Sequence, residues 1–188
     1  MIGVELVECL VHHGVEVDFL IREPWYWPMA LSRDEGRFIE EHIRHQGVNL
    51  RLEEEVVEVA AGANGRVASV RTSKGNDIPC QMLGICIGVR PQIEWLRQVR
   101  TPPALGRGVQ VASSFLTSLP DVWAAGDCAE FPDNPKGVGR INFGWRSAIR
   151  QGQLAGENMA GGNRRFGGNP EDYFWALFGF PLMDRARK

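Results

Sequence analysis

Apolar side chains at Val4, Val7, Leu10 and Val11 recur at helical spacing, and Gly14 stands where a C-terminal cap belongs. Val15, Val17, Phe19 and Ile21 then alternate, with Leu20 between them, which predicts a buried strand over 15–21. Ser32 and Glu35 have the S-x-x-E spacing of a capping box. They open a predicted helix with Phe38, Ile39 and Ile43 on one face and Gly47 at its end. A short strand follows at Val48 to Leu52. The alternation of helix and strand predicts a parallel sheet with crossover helices.

The pattern changes after residue 55. Val56 to Ala60, Arg66 to Thr72 and Asp77 to Met82 read as three short strands joined at Asn64-Gly65 and Lys74-Gly75-Asn76, an antiparallel meander. Leu83 to Gly88 is an unbroken apolar run, which predicts a central buried strand. A short helix is expected over 93–99 and short strands at Gly108 to Ala112 and Val122 to Ala125. Ile149, Gly152, Ala155 and Met159 line one face of a helix beginning near Trp145. Gly161 to Pro170 reads as a mobile linker, and the aromatic stretch Tyr173 to Phe180 as a surface to be covered by another domain or partner.

Composition narrows the classes. Among 188 residues, 21 Lys and Arg nearly balance 23 Asp and Glu, so no global field draws the chain to nucleic acid or an anionic membrane. Glycine, at 22 residues, exceeds the ordinary share of roughly 7%, which suggests tight turns and close backbone approaches. Cys9, Cys80, Cys86 and Cys128 form no CxxC or zinc pattern and read as free thiols of a cytoplasmic protein. His42 and His45 lie three apart, but no third ligand is evident and no metal site is expected. No run approaches a membrane span, and no signal peptide is expected.

Two segments carry candidate chemistry. Met1 to Glu5 reads as the tail of a glycine-rich strand-to-helix turn, the kind whose free N–H groups hold a pyrophosphate. Thr117 to Asp127 follows T-x6-A-x-G-D, in which Gly126 permits close approach and Asp127 offers a carboxylate to sugar hydroxyls.

Four segments, in order, resemble the FAD-dependent pyridine nucleotide–disulfide oxidoreductase family over about residues 1 to 160. Ile2-Gly3-Val4-Glu5 resembles the end of its NAD(P) turn, and Ile87 to Pro91 its return to the FAD domain. Thr117 to Asp127 resembles its second FAD motif, and Trp145-x-x-Ala148-x-x-Gln151-Gly152 the helix beside the flavin ring. The resemblance implies an α/β, three-layer, Rossmann-like FAD/NAD(P)-binding fold with an antiparallel β-meander, incomplete at its N-terminus. It implies that residues 1–88 form an NAD(P)-binding domain lacking its first strand. Residues 89–162 would be the later part of an FAD domain, and 163–188 a linker and the start of a truncated C-terminal interface domain.

By the same resemblance, Ile2, Gly3 and Glu5 face NAD(P)H, Gly88 lines the nicotinamide cleft, and Gly126 and Asp127 hold FAD. Phe143 to Ala148, Trp145 and Ala148 among them, lie near the flavin, which is held by backbone groups rather than acid–base side chains. Arg22 and Glu23 pull cofactor choice in opposite directions, and the balance tips to NADH. Trp25 and Trp27 offer faces to an adenine, with simple packing as the competing reading.

The implied activity is hydride transfer from NAD(P)H to flavin and onward to an unidentified acceptor, a small molecule or a small electron-transfer protein. No side chain of this segment is required as acid or base, because the cofactors carry the chemistry. The first FAD motif and the redox CxxxxC of the family's disulfide reductases have no counterpart here, so the chain reads as an internal fragment. The alternative is a non-catalytic nucleotide-binding or interaction fragment. A homo-oligomer or a partner chain would complete its sheet.

Overall fold

The computed structural model describes residues 2–131, 139–167 and 174–183. The first apolar stripe forms α1 (Ile2–His12), with Val4 and Val7 turned inward. The alternating segment pairs only over β1 (Asp18–Ile21). Val15, expected in that strand, is exposed. Next comes α2 (Arg33–His45), opened by the capping box. The Ser32 hydroxyl accepts from the Glu35 N–H at 3.4 Å, and the Glu35 carboxylate accepts from the Ser32 N–H at 2.9 Å. β2 (Asn49–Leu52) runs parallel to β1 in register from Asp18 opposite Asn49 to Ile21 opposite Leu52.

Ile39 and Ile43 of α2 pack with Val4 and Val7 of α1 and with Val48 and Leu50 at β2. This is the parallel crossover unit that the alternation of elements predicts.

The meander is also present. β3 (Val56–Ala61), β4 (Val67–Thr72) and β5 (Asp77–Pro79) form an antiparallel sheet in that order. Its base is tied by Glu54, a buried carboxylate. The Thr72 hydroxyl donates to Glu54 at 2.5 Å and the Asn76 amide at 2.7 Å. These bonds, the Thr72 bond foremost, hold the Glu54 carboxyl below its ordinary value. A depressed carboxylate stabilises the fold above its unfolded pKa, and that contribution fades as pH falls through the folded value. Glu54→Gln is therefore expected to lose about 1–3 kcal/mol at pH 7. The gap to the parent should narrow as pH falls below about 4, the ordinary carboxyl range. Urea unfolding at pH 7 and pH 3 checks this, and a gap that stays constant with pH refutes it.

Leu83 to Gly88 forms no strand. Ile85 is 70% exposed and Ile87 93% exposed. A central strand needs a hydrogen-bonded neighbour on each side, and none of the described residues pairs with this run.

The described residues divide into two compact units, Met1–Ile87 with Trp175–Lys188, and Gly88–Phe174. The second contains a 3₁₀ turn (Glu94–Gln98) and β6 (Val109–Gln110), which pairs in parallel with β7 (Ala129–Phe131). β8 (Arg140–Ile141) pairs antiparallel with β7, and α3 (Trp145–Met159) follows. Val122 to Ala125 makes one isolated bridge, Leu116 to Trp123, instead of a strand. Phe115, Phe131 and Phe166 form the aromatic centre of this unit, with ring centroids 5.2–5.7 Å apart.

The expected linker is partly fixed. Asn158 receives the Arg164 N–H at 2.6 Å and donates to the carbonyls of Ser114 and Arg164, and Phe166 is buried. Residues 168–170 of that linker, and Tyr173, lie outside the described residues. The chain then forms a two-stranded sheet, β9 (Phe174–Leu177) and β10 (Phe180–Met183). Leu177 is buried in the first unit's core and Phe178 packs against it, so this part of the aromatic stretch is covered by the chain itself.

Candidate functional site

In the first unit, α1 begins next to the run 83–87. A Cβ on Gly3 would stand 3.2 Å from the Cys86 Cβ and 3.6 Å from the Phe19 ring. Gly3 therefore lets helix and sheet segments approach closely, the packing role of the last glycine in a dinucleotide-binding turn. Ile2 is exposed beside it. Glu5, also exposed, lies in the first turn, where a carboxylate complements the helix dipole. Its charge reaches Tyr26, whose hydroxyl is pushed up to about 12, by burial first and by Glu5 second.

At the carboxyl end of β1, Arg22 and Glu23 do not act separately. The Arg22 guanidinium meets Glu23 Oε1 at 2.9 Å and Glu55 Oε1 at 3.7 Å. Glu55 carries no local signal of such a role. It arrives because the Glu54 N–H donates to the Ile21 carbonyl and the Glu53 N–H to the Glu23 carbonyl, folding the end of β2 against the end of β1. Ligands of open α/β sheets bind outside such strand ends.

The aromatic loop follows the packing reading. The Trp25 indole N–H donates to the Leu31 carbonyl at 3.1 Å, and its ring lies against Gly36 of α2. The Tyr26 N–H donates to the buried Glu40 carboxylate at 2.8 Å. Trp27 packs against the core cluster.

The second unit assembles the T-x6-A-x-G-D segment with α3. Gly126 sits at φ +85°, in the left-handed region, and a Cβ there would lie 3.5 Å from Ala148 of α3. The Gly126 N–H donates to Gln151 Oε1 at 2.9 Å, and Gln151 Nε2 donates to Ser147 Oγ at 3.0 Å. Asp127 is exposed, and its Oδ1 accepts from the Gly144 N–H at 3.1 Å. Gly144 precedes α3 with φ +125°, and no side chain caps the helix. Trp145 is exposed on the first turn.

The structure thus brings Gly126, Asp127 and Ala148 together and places Trp145 next to Gly144. It places Ile2, Gly3 and Glu5 on one turn in the other unit. Gly88, at φ +112°, has open space where a Cβ would stand. The sequence places Ser147 and Gly144 only within the stretch Phe143 to Ala148 expected near the flavin, with no role of their own, and it gives Gln151 none. The signal for the first is Ser147 and Gln151 four apart on one helix face.

Cys128 is half-buried, its Sγ donates to the Ala125 carbonyl, and burial pushes its thiol up, so it packs rather than reacts. Among the described residues no cluster of His, Cys, Asp or Glu is arranged to hold a metal, and no helix is long and apolar enough to cross a membrane.

A parallel crossover unit with a glycine packed at its helix start, and a second unit with a left-handed Gly-Asp turn against a helix without a side-chain cap, give an α/β protein of the class whose strand-to-helix turns serve nucleotide cofactors. The sequence profile of pyridine nucleotide-disulphide oxidoreductases matches residues 1–155, and the chain belongs to that family. An NADH oxidase of Enterococcus faecalis is 30% identical over 181 residues, covering 96% of this chain and 40% of that protein. A monodehydroascorbate reductase of Pisum sativum is 31% identical over 132 residues, 70% of this chain and 30% of the relative. The chain therefore spans two-fifths or less of the length of these relatives.

Among solved structures, the water-forming NADH oxidase of Lactobacillus brevis bound to NADH superimposes with a TM-score of 0.79 at 28% identity. That match covers 94% of this chain and 38% of the oxidase. An FAD-dependent pyridine nucleotide-disulphide oxidoreductase from Desulfovibrio vulgaris gives 0.79 at 27% identity, over 89% of this chain and 42% of that one. The fold is the FAD/NAD(P)-binding α/β fold, and family members bind FAD and NAD(P)H.

Proposed function

We propose that the chain is a segment of a flavin-dependent oxidoreductase that takes a hydride from NAD(P)H and passes electrons to an acceptor, a small molecule or a small electron-transfer protein. The observation that carries this reading is the Gly126–Asp127 turn, fastened by Gly126 to Gln151 within α3 and by Asp127 to Gly144 just before it.

The donor set fits a nucleotide cofactor. The start of α3 has no side-chain cap and carries the positive end of the helix dipole, which suits an electron-rich or anionic group. Asn142, just before that start, is 2% exposed, and its Nδ2 has no hydrogen-bond partner among the described residues. Gly126 and Asp127 would hold FAD, with Trp145 and Ala148 near its ring. Ile2, Gly3 and Glu5 would flank the NAD(P)H pyrophosphate, with Arg22 and Glu23 at its adenosine end and Gly88 at the nicotinamide cleft. Bound there, the two cofactors supply the hydride transfer. Two carboxylates around Arg22 favour NADH over the more negative NADPH.

The four cysteines are free thiols, which suits a reducing, cytoplasmic setting. No nucleic-acid or membrane partner is proposed. A second reading, a non-catalytic fragment completed by another copy or a partner chain, is favoured by the exposure of Ile85 and Ile87. The visible absorption spectrum of the natively purified chain separates the two. Flavin bands that bleach with NADH are expected. A colourless chain that stays colourless with added FAD excludes flavoenzyme activity for this chain alone.

A further inference from the structure

We infer that Gln151 is the positioning residue of the Gly126–Asp127 turn and sets the chain's affinity for FAD through it, an inference that rests on the FAD reading above. Gln151 is wholly buried, as is Ser147 one turn earlier on α3. An N–H of the main chain can only donate, so the amide oxygen of Gln151 must face Gly126 and its nitrogen must face Ser147. Both ends of the amide are then satisfied, and the side chain has one orientation.

The turn needs such an anchor. Gly126 has no side chain to limit it, and glycine populates left-handed and right-handed φ almost equally. Held by Gln151, its N–H cannot turn toward the ligand side. The second tie, from Asp127 Oδ1 to the Gly144 N–H, then fixes the carboxylate, and Oδ2 accepts no hydrogen bond from the described residues. That oxygen remains for a hydroxyl of the bound cofactor. The Gly126 carbonyl is held in turn by the Ala129 N–H at 3.1 Å. Gln151 itself needs no contact with the cofactor to act in this way.

The test is FAD titration of the full chain, followed by flavin fluorescence, for the parent, Gln151→Met and Gln151→Glu, with the melting temperature of each unliganded protein as control. Methionine keeps the volume and removes the acceptor, whereas glutamate keeps the acceptor facing Gly126. Gln151→Met is expected to bind FAD about tenfold more weakly or worse, with Gly126 amide exchange accelerated to match. Gln151→Glu is expected to stay within about threefold of the parent, although a buried carboxyl lowers its melting temperature.

A purely structural role predicts the reverse, affinity that follows melting temperature regardless of the acceptor, and that result overturns the inference. So does Gln151→Met binding FAD as the parent does. A parent that binds no FAD defeats the cofactor reading and this inference with it, whereas a binding parent and an equally binding Gln151→Met defeat the inference alone. If Gln151→Met does not fold, Ser147→Ala takes its place. It frees one end of the amide and is expected to weaken FAD several-fold, and unchanged affinity there overturns the inference.

Discussion

Replacing Glu23 and Glu55 together by glutamine is expected to raise the preference for NADPH over NADH by about ten- to a hundredfold. The Arg22 guanidinium stands at the end of β1, and both carboxylates lie against it. Arg22 and Glu55 are exposed and Glu23 is partly so, so each ion pair alone adds little to stability. Their effect on a ligand is different in kind. The 2′-phosphate of NADPH adds about two negative charges, and carboxylates within a Debye length of roughly 8 Å repel it. Glu23 also occupies the guanidinium edge that a phosphate would take as a two-bond partner, at 3.2 Å from Nε and 2.9 Å from Nη2.

Freed of both carboxylates, Arg22 can make that contact. Arg22→Ala added to the double substitution should abolish the gain, and 1 M salt should shrink it. Dissociation constants for NADH and NADPH, measured on the parent, the double and the triple variant, check this. A ratio unchanged by the double substitution would place the adenosine end elsewhere.

Much of this region is legible in the amino-acid sequence. The Ser32–Glu35 box forms both of its bonds, and the turns at Asn64-Gly65 and Lys74-Gly75-Asn76 lie where the meander reverses. Local chemistry decides such features, so local sequence reveals them. Leu83 to Gly88 is the opposite case. An apolar run records a need for burial, but a strand also needs neighbours for its N–H and C=O groups, and no described residue provides them.

β7 escapes the sequence pattern for a third reason. Glu130 separates Ala129 from Phe131 and breaks the apolar run, yet it is only 4% exposed. Its carboxylate accepts the Gly108 N–H at 3.0 Å, and Gly106 and Gly139 leave the space it fills. A partner 22 positions away makes the strand possible, and no local pattern reports that. The candidate site divides along the same line. Gly126 and Asp127 are legible from spacing within one segment. Glu55 beside Arg22, and Gln151 on Gly126, depend on chain reversals that bring separated residues together.

Phe115→Ala is expected to cost about 3–5 kcal/mol, the largest loss of any single substitution considered for the second unit. The side chain is fully buried against Phe131 and Phe166, so truncation leaves a cavity in the aromatic centre of the unit. Its backbone adds an unusual feature, because Phe115 has φ +68°, in the region that favours glycine. Two backbone bonds hold it there, from its own N–H to the Ala112 carbonyl and from the Ala124 N–H to its carbonyl.

Alanine therefore loses the ring and keeps the backbone strain, which is about 1–2 kcal/mol for a residue with a Cβ. Glycine loses one methyl more but removes the strain, and its greater freedom in the unfolded chain offsets part of that gain. Phe115→Gly should accordingly fall within about 1 kcal/mol of Phe115→Ala, where a buried site with ordinary φ would rank it clearly lower. Denaturant unfolding of both variants gives the comparison, and amide exchange at Val111, Ala129 and Leu154 should accelerate while Ile39 and Ile43 keep their protection. A Phe115→Gly far less stable than Phe115→Ala would mean that the strain is absent. The ring alone would then hold the packing around Phe131 and Phe166.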